Sequence, residues 1–420
     1  MADDPGAAEA RLAIVRFGVI CLKHMRRVAL GARLALIALG LAVDALRPLG
    51  LRYTDVDYDV LRDGAAAMVA GAAGGPYARA TFRYSPLLAL PLVGDVAAAG
   101  LPVGKVVFAL ADVALGARVE ALLRARGLSA NRAAALAAAG WYLNPVALNL
   151  CTRGSGDAAV AALVAGALVA AAAPGLRGAA AAGAGLGLAA HARLYPVVHA
   201  PAFALAFLRR DGVTRALAFG GAFAAAAAAP TALAYFCYGS TYVDNALAYH
   251  VTRLDHRHNL AAFWLPIYAV EGLPGGSRFK PLLRRALAVG PFLAHGALQA
   301  AAAAVVGLRR DLAATVFAQT LLFVAANKVC TAQYFCWWLP FAVVVAGPGL
   351  VHARHGAAKR RTVARALGSW AAALAAWLAV AFRLEFAGDA AHGPLWALGL
   401  GFLGANAGLL AAVLDAGGVS

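Results

Sequence analysis

Two aspartates one residue apart, Asp55 and Asp57, stand in the polar run Arg52-Tyr53-Thr54-Asp55-Val56-Asp57-Tyr58-Asp59. Such a pair can bind a metal ion, take a proton from an attacking hydroxyl, or cap a helix and keep a loop wet. Tyr53, Tyr58, Tyr77 and Tyr84, with Arg83 beside the last, suit a membrane interface or the face of a sugar better than an idle loop. Thr152-Arg153-Gly154-Ser155-Gly156-Asp157 follows; its Gly, Ser and Asp suffice as helix caps, whereas Arg153 calls for an anion. The same reasoning singles out Arg193 in His191-Ala192-Arg193-Leu194-Tyr195-Pro196, while a lone His191 there is more often structural. The densest polar run, residues 249–259, holds His250, Arg253, Asp255, Arg257, His258 and Asn259. Histidines alternating with arginines favour phosphate over a metal there, because fixed positive charge repels a second cation. Finally, Lys328 and Gln333 lie in a short stretch between two apolar segments, where a lysine is costly unless it is paired or hydrated. Trp337 and Trp338 read as interfacial anchors.

The elements that must position these groups are membrane helices. Of 420 residues, 62% are hydrophobic and 14% charged, and the mean hydropathy is +0.72. Apolar runs of roughly 18 or more residues recur, each able to cross a hydrocarbon core about 30 Å thick as a helix. The bundle is rich in Ala and Gly, which drive insertion weakly but let backbones approach closely. A net charge of +17 raises nucleic-acid binding, yet the arginines sit in short clusters between apolar spans, where membrane orientation selects them. Five cysteines without a CxxC pair argue against a disulfide framework or a zinc site. Residues 1–10 are polar and precede no cleavage site of signal-peptide type, so the first span is expected to be retained.

With basic clusters placed on the cytoplasmic side, the chain reads as a single all-α polytopic membrane domain over residues 1–420, with about twelve spans. The basic N-terminus, residues 1–27, is then cytoplasmic; a long first loop, residues 49–104, and a second, residues 237–285, are lumenal. This arrangement gathers the polar runs at one membrane face. A carboxylate pair, arginines, a lysine and aromatic rings at such a face suit sugar transfer from a lipid phosphate.

These strings resemble the PIG-M family, the catalytic subunit of GPI (glycosylphosphatidylinositol) mannosyltransferase I. The resemblance rests on Tyr53-Thr54-Asp55-Val56-Asp57-Tyr58, the stretch Pro76 to Leu88 with Arg83-Tyr84-Ser85-Pro86, Leu143-Asn144-Pro145, Arg153-Gly154, His191-x-Arg193-Leu194-Tyr195-Pro196, His250-x-x-Arg253-x-Asp255-x-Arg257-His258-Asn259 and Asn327-Lys328-Val329-Cys330-Thr331-x-Gln333-Tyr334-Phe335. It implies a GT-C glycosyltransferase fold in the endoplasmic reticulum membrane with a lumenal active site. The donor would be dolichyl phosphate mannose and the acceptor glucosaminyl-(acyl)phosphatidylinositol, joined by an α-1,4 linkage with inversion. Asp55 would then be the base and Asp57 its helper. Tyr58, Arg83, Tyr84, Arg153, Asp157, His191, Arg193, Tyr195, His250, Arg253, Asp255, Arg257, His258, Asn259, Lys328 and Gln333 would bind substrate. The family has Asn-Ala-Asp where this chain has Ser155-Gly156-Asp157, and Lys where it has Arg193. A small accessory membrane subunit of the PIG-X kind is implied; no cofactor is certain and a divalent metal is left open. The alternative is another dolichyl-phosphate-mannose-dependent enzyme of the same architecture, acting on a protein or a lipid-linked glycan.

Overall fold

The computed structural model describes residues 22–98, 100–307, 311–351 and 356–418. Most of the basic N-terminal segment, together with Arg309, Arg310 and residues 352–355, lies outside the described residues. Helices make up the fold, and no strand occurs among the described residues. In chain order they are α1 (Met25–Leu46), α2 (Val56–Val69), α3 (Val103–Ala125), α4 (Ala130–Ala137), α5 (Pro145–Thr152), α6 (Asp157–Ala172), α7 (Gly175–Ala192), α8 (Ala200–Asp211), α9 (Val213–Tyr242), α10 (Trp264–Glu271), α11 (Lys280–Val305), α12 (Leu312–Ala325), α13 (Phe335–Val351), α14 (Gly356–Phe386) and α15 (His392–Ala416). Short turns of helix join them, notably over Pro86–Ala97 between α2 and α3.

Among the described residues, six helical runs are long and apolar enough to cross a membrane: Met25–Leu46, Val213–Thr252, Lys280–Val305, Ala332–Val351, Gly356–Phe386 and His392–Ala416. The 22 residues of α1 reach roughly 33 Å, sufficient for a bilayer core. By contrast Pro86–Ala97 and the eight residues of α10 are too short to cross. The sequence assigned residues 237 onward to a loop, but helical backbone continues through Tyr242, a π-helical turn at Val243–Ala248 and Tyr249–Thr252. A single break at Gly239, φ 60°, bends the run without ending it. Similarly, the basic stretch at residues 278–285 runs into the first turns of α11.

Small residues set a close helix crossing. Gly183 and Gly187 of α7, one turn apart, meet the backbone of α9 at Phe219 and Phe223, where any Cβ would collide with a carbonyl oxygen. Close backbone approach through small residues is how membrane helices gain packing without a hydrophobic driving force. Gly183→Leu is therefore expected to cost about 1–3 kcal/mol or more by overpacking. A lowered unfolding temperature of the purified protein would show this, and an unchanged one would contradict the crossing.

The bundle has two chemically distinct ends. Helix α3 carries Lys105 near its start and ends at Arg126, which makes a two-pronged bond to Asp311 at 3.0 and 2.8 Å. Helix α6 begins at Asp157 and finishes where Arg210 donates to the Ala171 carbonyl at 2.6 Å. Helix α12 starts at the Asp311 cap and leads towards Lys328. One end thus collects Arg126, Arg210 and Arg215. The opposite end collects the loops bearing Asp55, Arg153, Arg193 and Gln333.

Candidate active site

Asp55 is the N-cap of α2: its Oδ1 accepts the backbone N–H of Asp57 at 3.1 Å. Capping fixes the carboxylate without consuming it, since one oxygen satisfies the helix and the other remains for chemistry. That second oxygen accepts from Gln333 Nε2 at 3.2 Å and lies 3.6 Å from Arg153 Nη2. Residues 278 positions apart thus meet. The backbone clamps the same junction, with the Asp55 N–H donating to the Arg153 carbonyl at 3.0 Å and Arg153 Nε donating to the Tyr53 carbonyl at 2.9 Å.

Gly154 makes this clamp possible. Its φ is +103°, and a Cβ there would run into the Tyr58 ring. Gly154→Ala is expected to displace Arg153 from Asp55, costing about 1–3 kcal/mol through backbone strain and lowering transfer. Activity equal to that of the parent protein would show that the clamp is dispensable.

Asp57 points into a second layer. Arg193 Nη2 pairs with the buried Asp157 Oδ1 at 2.9 Å, and its guanidinium lies 4.7 Å from the centre of the Tyr84 ring. Burial raises the Asp57 carboxyl above the usual carboxylate range; the Arg193 charge opposes this and the Asp55 charge adds to it. Burial also pushes the Tyr84 phenol well up, and the adjacent Asp57 charge reinforces the shift. Beneath this layer Trp337 stacks on Tyr195 at 4.0 Å and on Tyr334 at 4.1 Å between ring centres.

Around this centre the remaining loops lock together. His191 bridges Ser85 and Thr231, each at 2.9 Å. His250 contacts the Arg83 carbonyl at 3.0 Å, while the Arg83 guanidinium sits 4.5 Å from the Tyr249 ring centre. Arg253 pairs with Asp255 at 2.5 Å. The Lys328 ammonium donates to the Val251 carbonyl at 2.9 Å, and its pKa is held below the ordinary lysine value by burial and then by Arg253.

The structure therefore brings together Asp55, Asp57, Tyr84, Arg153, Asp157, Arg193 and Gln333, framed by Arg83, His191, Tyr195, His250, Arg253, Asp255 and Lys328. Four expected residues turn elsewhere. The Tyr58 hydroxyl donates to Asp95 on the far side of α2. Arg257 is exposed, and its backbone N–H caps Asp255 at 3.1 Å. His258 reaches Glu385 of α14 at 2.9 Å and lies against Trp264 and Trp377. Asn259 ties two loops, its side-chain oxygen accepting from Ala261 N and Cys330 N. His250 and His258 thus have separate partners, and among the described residues no group of three or more His, Cys, Asp or Glu is arranged to hold a metal.

Sequence reasoning missed Asp44. This aspartate, in the last turn of α1, accepts the backbone N–H groups of Tyr53 and Thr54 at 2.7 and 3.2 Å and the Thr54 hydroxyl. It sets the turn that presents Asp55. The available signal was a carboxylate inside an apolar span, where a charge is retained at a cost.

The chain is similar to known proteins over most of its length. The family described as Mannosyltransferase (PIG-M) matches residues 150–414. A relative from Trypanosoma brucei brucei named GPI mannosyltransferase 1 is 35% identical, with 87% of each chain covered. The Danio rerio GPI alpha-1,4-mannosyltransferase I catalytic subunit is 34% identical over 91% of this chain and 94% of its own. GPI mannosyltransferase 1 of Aspergillus fumigatus is 33% identical, covering 92% of this chain and 95% of its own. With the family model matching residues 150–414 and these relatives similar over most of the chain, the chain belongs to the PIG-M mannosyltransferase family.

Proposed function

We propose that this protein transfers mannose from dolichyl phosphate mannose to glucosaminyl-(acyl)phosphatidylinositol, forming the α-1,4 linkage that begins the mannose chain of a GPI anchor. The observation that carries the reading is the Asp55 carboxylate, fixed by its capping role and held between Gln333 and Arg153. Asp55 takes the proton of the acceptor's 4-hydroxyl as its oxygen attacks mannose C1. The C1–O bond to phosphate breaks, dolichyl phosphate leaves with the electron pair, and the β-linked donor gives an α-linked product. A single displacement with one base accounts for that inversion.

Arg153, Arg193 and Arg253 stabilise charge growing on the departing phosphate, an electrostatic contribution that is largest where water is excluded. Asp57, whose pKa is raised, supports Asp55 from the Arg193 layer. We assign the same chain a GT-C fold of about twelve spans, with cytoplasmic residues 1–27 and lumenal loops at residues 49–104 and 237–285. Its site would face the lumen of the endoplasmic reticulum, and a small accessory subunit of the PIG-X kind would accompany it. The test is expression in cells lacking GPI mannosyltransferase I: GPI-anchored proteins should return to the surface, and failure of an expressed, membrane-inserted chain to restore them would reject the reading.

A further inference from the structure

Behind the Asp55 turn lies a cavity of about 260 Å³ that the transfer step described above does not use. It is lined by the end of α1, by the loop after it, by one face of α2 and by the start of α3. Four cationic side chains, Arg47, Arg52, Arg62 and Lys105, face three carboxylates and leave one positive charge over. The carboxylates are already engaged. Asp59 pairs with both Arg52 and Arg62, Asp95 accepts from the Tyr58 hydroxyl and Gly104 N, and Asp44 holds the Tyr53–Thr54 backbone.

Lys105 is only 1% exposed. Among the described residues its ammonium donates one hydrogen bond, to Thr54 Oγ1 at 2.7 Å. An ammonium has three donors, and a buried cation with donors to spare beside a cavity calls for an acceptor within it. Arg47 gives a second sign. At the C-cap of α1 it has φ 47°, the only positive φ outside glycine among the described residues. That conformation is strained for a side chain and relaxed for glycine, and such strain persists where the side chain is needed. Leu46, 80% exposed, closes an apolar helix long enough to cross a membrane, and the cavity opens beside that end.

We propose that this cavity binds the phosphodiester of a lipid, whose single negative charge matches the excess, with Lys105 donating to a phosphoryl oxygen and Arg47 closing over it. The assignment to a substrate rests on the proposed function, in which donor and acceptor are both lipid phosphodiesters. Thr54, which accepts from Lys105, adjoins Asp55, so either phosphodiester would be anchored beside the base.

Binding can be read without catalysis, by lipid retention on the purified full chain in detergent under native mass spectrometry. The probes are phosphatidylinositol, dolichyl phosphate mannose and, as a neutral control, diacylglycerol. One of the two anionic lipids should be retained in preference to the control. Lys105→Met and Arg47→Gln should each weaken that retention by about tenfold, while Asp55→Asn leaves it unchanged. Retained phosphatidylinositol marks an acceptor subsite; preferential retention of dolichyl phosphate mannose places the donor phosphate here and overturns its assignment to Arg153, Arg193 and Arg253. Equal retention by parent and both variants, or equal retention of diacylglycerol, overturns the proposal. Should Lys105→Met fail to fold, the exposed Arg47→Gln decides alone. Lysine-dependent retention by a chain that transfers no mannose would reject the proposed function and leave the site standing.

Discussion

Asp55→Asn should lower mannose transfer by about 10²–10⁴-fold, the usual contribution of a general base, while the purified protein keeps its unfolding temperature. The substitution retains an oxygen to accept the Asp57 N–H, so the start of α2 stays capped. What disappears is the charge that can take a proton. Asp57→Asn should do less, because burial already disfavours its charged form and its partners belong to the Arg193 layer. The check is initial-rate transfer in membranes from dolichyl phosphate mannose to a glucosaminyl-phosphatidylinositol acceptor. Near-parental activity of Asp55→Asn, or a larger loss for Asp57→Asn, would move the base away from Asp55.

Arg33→Leu should destabilise the fold by about 3–5 kcal/mol, because it strands Asp112 without its counter-charge. Both side chains are completely buried where α1 crosses α3, joined in an ion pair. Arg33 also donates to the carbonyls of Ala29 at 3.1 Å and Tyr142 at 2.9 Å. Replacing both charges, in Arg33→Leu/Asp112→Leu, should recover most of the loss, since a buried pair gains little over apolar residues of similar volume. Thermal unfolding of the parent, single and double variants measures this. A double variant no better than the single would mean that the Arg33 bonds to backbone matter more than its charge. The pair has a functional consequence as well: α1 leads into the Asp55 turn and α3 carries Lys105 beneath it, so their register sets the site.

Most of the central residues were legible because charge is scarce in this chain. Asp55, Asp57, Arg153, Arg193 and Lys328 each interrupt or flank an apolar run, and such residues are retained only where they are used. The partnerships were not legible. Gln333 meets Asp55, and Lys328 meets the Val251 carbonyl, only through contacts between residues 278 and 77 positions apart, which no local spacing encodes. Side-chain direction was lost for a related reason. Once α2 starts at Val56, adjacent positions point about 100° apart, so Asp57 enters the site while Tyr58 turns towards Asp95. His258 is withdrawn by two tryptophans and Glu385, distant groups that alternation with arginine could not reveal. Span boundaries blurred where helices carry both alanine and charge; α3 holds Lys105, Asp112, Arg118, Glu120 and Arg124 within one continuous run.

The central claim is that a first-loop carboxylate and groups from loops far along the chain form one catalytic unit. A double-mutant cycle between Asp55→Glu and Gln333→Ala, read as kcat/KM for mannose transfer, tests it most directly, because both single variants keep a carboxylate and should retain measurable activity. Contact at 3.2 Å predicts a coupling of about 0.5–3 kcal/mol, so that the double variant loses less than the product of the two single losses. Strict additivity would place the two side chains in separate environments and contradict the account.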